Sequence, residues 1–312
     1  MWIVVALIGY FFNAVAGLFD KLLLSEGRIG SPVLYAFFTS LASVFAIVFL
    51  PFGFVLWNSE AMLIALAAGA LFVSGLVALY EAVKRTEVSR AAPLVGVSTV
   101  GFIFLVALTL RIGDGSSFEP RDVMALIFLV FGSFLLAKEG WGKVDRTFVR
   151  YVLAAGALMA ASLILLKASY QLSNFMSGFV WSRMGMFVTG LSFLLVPKFR
   201  HDIAARAEYI SEPTKRNVST SLFFFANKIL GGLGAFLIAY AVSLGSVTFV
   251  QAMNGFQYAF LFLLAVPLSV RYPVIYGESM DKRDWFKKAA AIVFLACGVA
   301  LAATSGRLAG FL

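Results

Sequence analysis

The chain is 312 residues long, with 61% hydrophobic and 13% charged residues and a formal net charge of +9 at pH 7. Soluble domains are about half apolar and about a quarter charged, so this composition excludes an ordinary soluble protein. The positive charge does not require a nucleic-acid partner, because basic residues in the loops of a membrane protein account for it. We therefore expect membrane lipids, and no nucleic acid, among the partners of this chain.

Ten hydrophobic segments follow one another along the chain. Most approach the roughly 20 residues that a helix needs to cross a bilayer, and their unbroken apolar runs are not typical of barrel strands. The first segment lacks a charged leader and a cleavage site, so we predict a retained helix rather than a signal peptide. The sequence thus predicts an all-α integral membrane protein with ten transmembrane helices, at 2–24, 32–50, 61–83, 91–110, 122–137, 151–169, 179–197, 219–243, 247–269 and 289–306.

Basic, proline and glycine residues recur in the same order in the two halves of the chain. The matched pairs are Lys21 with Lys167 and Pro51 with Pro197 at an offset of 146, Gly96 with Gly255 at 159, and Arg121-Asp122 with Arg283-Asp284 at 162. Five helices per half is an odd number, so the second half must be inverted relative to the first. We predict two inverted five-helix repeats, at residues 1–140 and 148–308.

Five segments also carry a family resemblance. They are "ALYEAVKRTEVSRAAPLVG" and "GSFLLA" in the first half, and "SGFVWSRMG", "NKILGG" and "SLGSVTFVQAMNGFQYAFLF" in the second. The chain resembles, over essentially its whole length, the drug/metabolite transporter superfamily in its ten-helix EamA-like form. The resemblance implies an EamA-like fold for each repeat and transport of a metabolite such as an amino acid, a sugar phosphate or a nucleotide sugar. It assigns no binding residue.

The basic residues predict the orientation in the membrane. Loops that are odd-numbered in chain order hold most lysines and arginines, whereas the even loops and the termini hold Arg111, Arg121 and Arg307. Basic loops stay in the cytoplasm, so we predict a plasma (inner) membrane protein with both termini outside the cytoplasm and the loop at 198–218 inside. The resemblance implies both termini inside. We favour the basic residues, because they act on the insertion of this chain itself.

Lys228 is the strongest candidate for binding substrate. It lies about 14 Å into its predicted helix, next to Asn227, and a charged group at that depth is costly without a partner. Its ammonium could face an anionic substrate group in a midplane cavity between the repeats. Alternatively, it could form a structural ion pair with Asp20 or Glu81.

Four further charged residues in the predicted helices are considered for a role in transport. Arg183 could hold a carboxylate or phosphate through two parallel hydrogen bonds, or it could be an interfacial arginine beside aromatic residues. We place Lys167 at the interface. Asp20 and Glu81 are possible proton carriers, because burial favours the neutral acid, but their positions near helix ends also fit ordinary salt bridges.

A stripe of uncharged polar residues marks the ninth predicted helix. Gln251, Asn254 and Tyr258 are spaced to share one helical face, and Gln257 lies beside them. Asn13 lies near the middle of the first helix. These side chains could line a polar pocket for substrate, or they could form hydrogen bonds between helices.

Several classes of chemistry are excluded by residues that the chain lacks. With one histidine, His201, and one cysteine, Cys297, it can build neither a His/Cys metal centre nor an intrachain disulfide. It has no glycine-rich phosphate-binding loop of the ATPase type. We expect no catalytic residue, no metal and no cofactor, and hence a protein that is not an enzyme.

The resemblance and the polar residues together favour a secondary transporter of a small polar metabolite, working by alternating access between the repeats. Because cations within the predicted helices outnumber carboxylates, we favour a substrate that bears a carboxylate or a phosphate. A homodimer is compatible with the sequence. Two alternatives stay open: a flippase for a lipid-linked headgroup, and a non-transporting membrane scaffold.

Overall fold

A computed structural model describes residues 1–24, 32–55, 58–85, 88–110, 120–137, 145–197, 199–200, 218–271 and 282–304. All regular structure in these ranges is helical. The α-helices are α1 Trp2–Leu24, α2 Pro32–Ala42, α3 Ser59–Val83, α4 Val88–Leu110, α5 Pro120–Ala137, α6 Arg146–Leu172, α7 Phe175–Ser192, α8 Val218–Leu244, α9 Val247–Ala252, α10 Gly255–Arg271 and α11 Lys282–Thr304. Two 3₁₀ helices, Ser43–Phe49 and Phe193–Leu195, continue α2 and α7.

Seven helical spans in the described ranges are long and apolar enough to cross a membrane, and two shorter apolar helices lie at 36–49 and 289–303. This is the character of a multi-pass helical membrane protein, because a helix satisfies its own backbone hydrogen bonds in lipid. The predicted segments agree with the helices to within several residues. One predicted helix, at 247–269, is instead divided into α9 and α10.

The chain forms two compact units that do not coincide with its sequence halves. Unit 1 comprises Met1–Ile29, Phe104–Trp141 and Lys215–Leu312, and unit 2 comprises Gly30–Ile103 and Gly142–Thr214. Each unit therefore combines helices from both halves. The helix pairings explain this division, since α1 packs against α8 in unit 1, whereas α3 packs against α6 and α7 in unit 2.

In unit 1, glycines allow α1 and α8 to approach closely. A Cβ atom on Gly234 would overlap the Asn13 side chain and would lie 2.9 Å from the carbonyl oxygen of Gly9. Farther along α1, Ala16 faces Gly231, so the two helices are antiparallel. Small residues at such crossings increase van der Waals contact, which drives helix association in lipid.

The contact between α5 and α11, also in unit 1, is reciprocal. A Cβ atom on Gly132 would lie 2.9 Å from Leu295 Cγ and 3.0 Å from the carbonyl oxygen of Ala291. A Cβ atom on Gly298 would lie 2.7 Å from Leu129 Cγ and 3.1 Å from the carbonyl oxygen of Ala125. The two contacts are antiparallel, and each residue of one contact lies 166 positions from its counterpart in the other. This offset is about one helical turn longer than the 162 inferred from the Arg-Asp pairs.

In unit 2, α3 crosses α6 through an equivalent contact. A Cβ atom on Gly75 would lie 2.8 Å from Met159 Cγ and 3.5 Å from the carbonyl oxygen of Ala155. An apolar core continues from this crossing and consists of Ala78, Ala82, Ala91, Val95, Phe148, Val152 and Ala155. The α3–α7 crossing is closer still, because a Cβ on Gly69 would lie 2.6 Å from the backbone nitrogen of Met186.

Asparagines fix the turn between α6 and α7. Asn174 caps α7 by accepting a hydrogen bond from the backbone of Ser177 (2.8 Å), and it donates one to the carbonyl of Gly53 (2.9 Å). Asn58, the N-cap of α3, donates to the carbonyl of Leu172 (2.7 Å). Because these polar residues form caps rather than a loop, α7 begins before the predicted apolar segment does.

Candidate functional site

The break between α9 and α10 is the clearest irregularity of unit 1. The backbone nitrogen of Asn254 bonds to the carbonyl of Gln251 (3.1 Å), and that of Gln257 bonds to the carbonyl of Asn254 (3.0 Å). These bonds span three residues instead of the four of a regular α-helix. The break lies about 10 Å along the segment that begins at Val247, well inside the length of a membrane span.

The break changes the partner of one carbonyl group. In a continuous helix the carbonyl of Val250 would accept from the backbone nitrogen of Asn254, which here bonds elsewhere. The hydroxyl of Tyr10 on α1 donates to the Val250 carbonyl instead, at 2.7 Å, and Tyr10 is buried. This bond satisfies a backbone group that would otherwise be unpaired in a membrane, where an unpaired group is expensive.

Other polar side chains gather at the break. The side chain of Asn254 is in hydrogen-bonding contact with the hydroxyl of Tyr258, and Tyr258 lies near Tyr10. Gln251 and Gln257, on the two sides of the break, are half-buried. The prediction placed Gln251, Asn254 and Tyr258 on one face of a regular helix. In the structure Asn254 lies in the turn itself, so the stripe is interrupted there.

Unit 1 also contains three of the predicted binding residues on α1 and α8. Asn13 is half-buried and packs against Gly234, as described above. Asn227 is buried, whereas its neighbour Lys228 is exposed. Adjacent helical residues point about 100° apart, which accounts for this difference. The role of Lys228 in substrate binding stays a prediction.

Arg183 lies in unit 2, close to the middle of a candidate membrane span. The span runs from Phe175 to Leu195, so Arg183 lies about 12 Å from its beginning. The guanidinium carbon lies 4.8 Å from the ring centroid of Phe179, and the Nη1 atom donates to the Sδ of Met186 at 3.1 Å. Both alternatives for Arg183, substrate binding and an interfacial position, stay predictions.

The remaining charged candidates have different outcomes. Lys167, expected at the interface, is buried in α6 with 4% of its surface exposed. Glu81 is half-buried near the end of α3, so its position agrees with the prediction, while its role as a proton carrier stays a prediction. The side chain of Asp20 lies outside the described part of the structure, and its predicted role is likewise untested.

Three buried residues were missed by the sequence reasoning. Tyr10 and Tyr170 were not among the predicted site residues, although each carries a hydroxyl inside an apolar helix. Asp122, at the start of the predicted segment 122–137, was not considered as a site residue, and it is buried in the first turn of α5. The signal that could have identified the tyrosines is their place in otherwise apolar runs, since a buried phenol requires a hydrogen-bond partner.

The helical arrangement recurs in a solved protein structure. A chain whose description reads "Crystal structure of protein" matches over 97% of both chains, with a TM-score of 0.65 and 16% sequence identity. At this identity the match shows a shared fold alone. Comparisons with protein-family models and with curated proteins find no match.

Proposed function

We propose that this protein is a secondary transporter that moves a small polar metabolite, bearing a carboxylate or a phosphate, by alternating access. The observation that carries the proposal is the helix break at Asn254, surrounded by the hydroxyls of Tyr10 and Tyr258. Irregular backbone at membrane depth is tolerated where it is buried in protein or lines a water-filled cavity. Discontinuous helices of this kind form the substrate sites of many secondary transporters.

An inverted repeat is part of the proposal, and two equivalent contacts support it. Gly75 packs against the side chain of Met159 and the carbonyl of Ala155. Gly234 packs against the side chain of Asn13 and the carbonyl of Gly9. The glycines are 159 residues apart, and their partners are 146 apart. These are the two offsets that the sequence punctuation predicts for the corresponding helices.

The same offsets favour a functional role for the polar residues of unit 1. At these offsets, four polar residues of unit 1 correspond to residues of unit 2 that are apolar or, in the case of glycine, have no side chain. The pairs are Tyr10 with Gly156, Asn13 with Met159, Asn227 with Ala68, and Asn254 with Val95. Because unit 2 has no polar side chain at these four positions, packing alone does not require one there in unit 1.

Transport can be tested with purified protein in liposomes and a panel of labelled amino acids, organic acids and sugar phosphates. We expect saturable uptake of at least one solute class. Replacement of Asn254 by leucine should reduce that uptake at least about tenfold, since a hydrogen bond to substrate is lost. Thr109→Val is the matched control, because Thr109 is exposed on α4 and bonds to its own helix.

The two alternatives lead to other outcomes in the same liposomes. A flippase would move labelled lipid between leaflets while leaving the soluble solutes outside. A scaffold would move neither lipid nor solute. Either result would overturn the proposal of a metabolite transporter.

A further inference from the structure

Arg183 is a cation close to the middle of a candidate membrane span, and it has no charged partner in the described part of the chain. Its contacts there are the ring of Phe179, the sulfur of Met186 and the aromatic side chain of Tyr170. None of these groups carries a negative charge. A charge placed at such depth costs about 2.5–3.5 kcal/mol on insertion scales, so an anion is the partner that this position lacks.

Tyr170 supplies a second, independent observation. Tyr170 is only 7% exposed, and its hydroxyl is buried with no hydrogen-bond partner among the residues that the structure describes. Its ring lies 5.3 Å from that of Phe175, which lies 5.7 Å from that of Phe179, the ring beneath Arg183. The phenol and the guanidinium thus lie on one continuous aromatic surface and interact electrostatically. Buried hydroxyls are normally paired, so this one is available to a ligand.

Both residues correspond to apolar residues in the first half of the sequence. At the offset of 146, Arg183 corresponds to Phe37 and Tyr170 to Leu24, both apolar. Phe37 is itself buried in an apolar cluster with Phe193 and Leu194. A hydrophobic side chain is therefore sufficient at the corresponding position, and the arginine calls for another explanation.

We propose that Arg183 and the hydroxyl of Tyr170 bind a single carboxylate group of the substrate. The planar guanidinium donates two parallel hydrogen bonds to the two carboxylate oxygens, and the phenol donates a third. One cation and one neutral donor match a monoanion. A phosphate monoester carries about −1.5 to −2 charges and would leave excess charge unpaired in an apolar site. Its assignment to the transported substrate rests on the proposed function, whereas the binding itself does not.

The site can be tested by thermal-shift titration of the purified protein, at constant chloride and ionic strength. The probes are acetate and benzoate, their neutral amides acetamide and benzamide, and inorganic phosphate. Ligands that bind the folded state raise the melting temperature in proportion to their affinity. We expect both carboxylates to stabilise the protein, with the amides inactive and phosphate weaker than either carboxylate.

Four variants connect the stabilisation to the proposed residues. Arg183→Met should abolish it, and Arg183→Lys, which keeps the charge but not the paired donors, should weaken binding about tenfold or more. Tyr170→Phe should weaken it several-fold, since a hydrogen bond to a charged group is lost. Arg150→Met is the control, because Arg150 is exposed on α6. The conservative Lys and Phe variants keep the test valid if the methionine variant does not fold.

Three results would overturn the site. Acetate and benzoate could stabilise Arg183→Lys and Tyr170→Phe as much as the unmodified protein, or neither carboxylate could stabilise the protein at all. The third such result is that phosphate binds through Arg183 more tightly than the carboxylates do. Liposome transport separates this proposal from the proposed function. If carboxylate binding depends on Arg183 but the protein transports no solute, the binding site is supported and the proposed transport function is rejected. If Arg183→Met transports a carboxylate as well as the unmodified protein does, the binding site is rejected and the proposed transport function is supported.

Discussion

The hydroxyl of Tyr10 donates a 2.7 Å hydrogen bond to the carbonyl oxygen of Val250, 240 positions later in the chain. The bond joins α1 to the last turn of α9, immediately before the helix break. A break in a membrane helix releases backbone groups that lipid cannot satisfy, and here a side chain from another helix satisfies one of them. Tyr10 therefore helps to position the turn that carries Asn254.

Replacement of Tyr10 by phenylalanine should lower the free energy of unfolding by about 1–2 kcal/mol, because the Val250 carbonyl loses its donor while the ring is retained. Thermal unfolding in detergent measures the change. Tyr240→Phe is the control, since Tyr240 is exposed on α8. Equal melting temperatures for the two variants would show that the bond contributes nothing to stability.

Alanine substitutions at Gly132 and Gly298 should destabilise the protein by similar amounts, about 1–3 kcal/mol each, because each new Cβ meets the equivalent leucine of the facing helix. Gly101→Ala is the control. A Cβ there has no neighbour within 4 Å among the described residues, and alanine is the better helix former. Thermal unfolding of the three variants provides the comparison. Markedly unequal losses at Gly132 and Gly298 would contradict the reciprocal contact.

Lys228→Met should leave expression and melting temperature nearly unchanged, because Lys228 is exposed and methionine retains much of its volume. If Lys228 faces the substrate, binding and transport of an anionic ligand should be lost. Ligand titration and liposome uptake, run on the same preparation, measure the two effects. A variant that fails to fold, or one that transports normally, would favour a structural role for the lysine.

Reporter fusions at Leu312 and near Arg206 test the orientation that the basic residues predict. The fusion at Leu312 should report an extracytoplasmic location, and the fusion near Arg206 a cytoplasmic one, because basic loops are retained in the cytoplasm. Glycosylation or cysteine-labelling assays provide an independent measurement. A cytoplasmic signal from Leu312 would restore the orientation that the family resemblance implies.

Hydropathy predicted most helices well because, in lipid, an apolar run has few alternatives to a helix. The segment 2–24 coincides with α1, and the segment 219–243 differs from α8 by one residue at each end. Boundaries failed where polar side chains form caps. Ser173 and Asn174 precede α7 and were treated as loop, although Asn174 begins the helix by capping it.

The candidate site was predicted in part. Asn254 and Tyr258 were identified because amides and phenols are uncommon in apolar segments, and the structure brings them into contact. Tyr10 was missed, because its partner lies 240 residues away and a lone tyrosine in an apolar run resembles a packing residue. The break itself was not predicted, since the segment contains no proline near Asn254 to mark it.

The sequence by itself determined the helical membrane class and the approximate helices. These properties depend on local composition, because a long apolar segment in a bilayer satisfies its backbone hydrogen bonds by forming a helix. Only the tertiary structure decided that α1 pairs with α8 and α3 with α6, that a helix breaks at Asn254, and that Tyr170 and Arg183 share one aromatic surface. These features depend on contacts between residues far apart in the chain. Apolar surface alone does not determine which helices pair in lipid, because lipid tails cover that surface as well as another helix does.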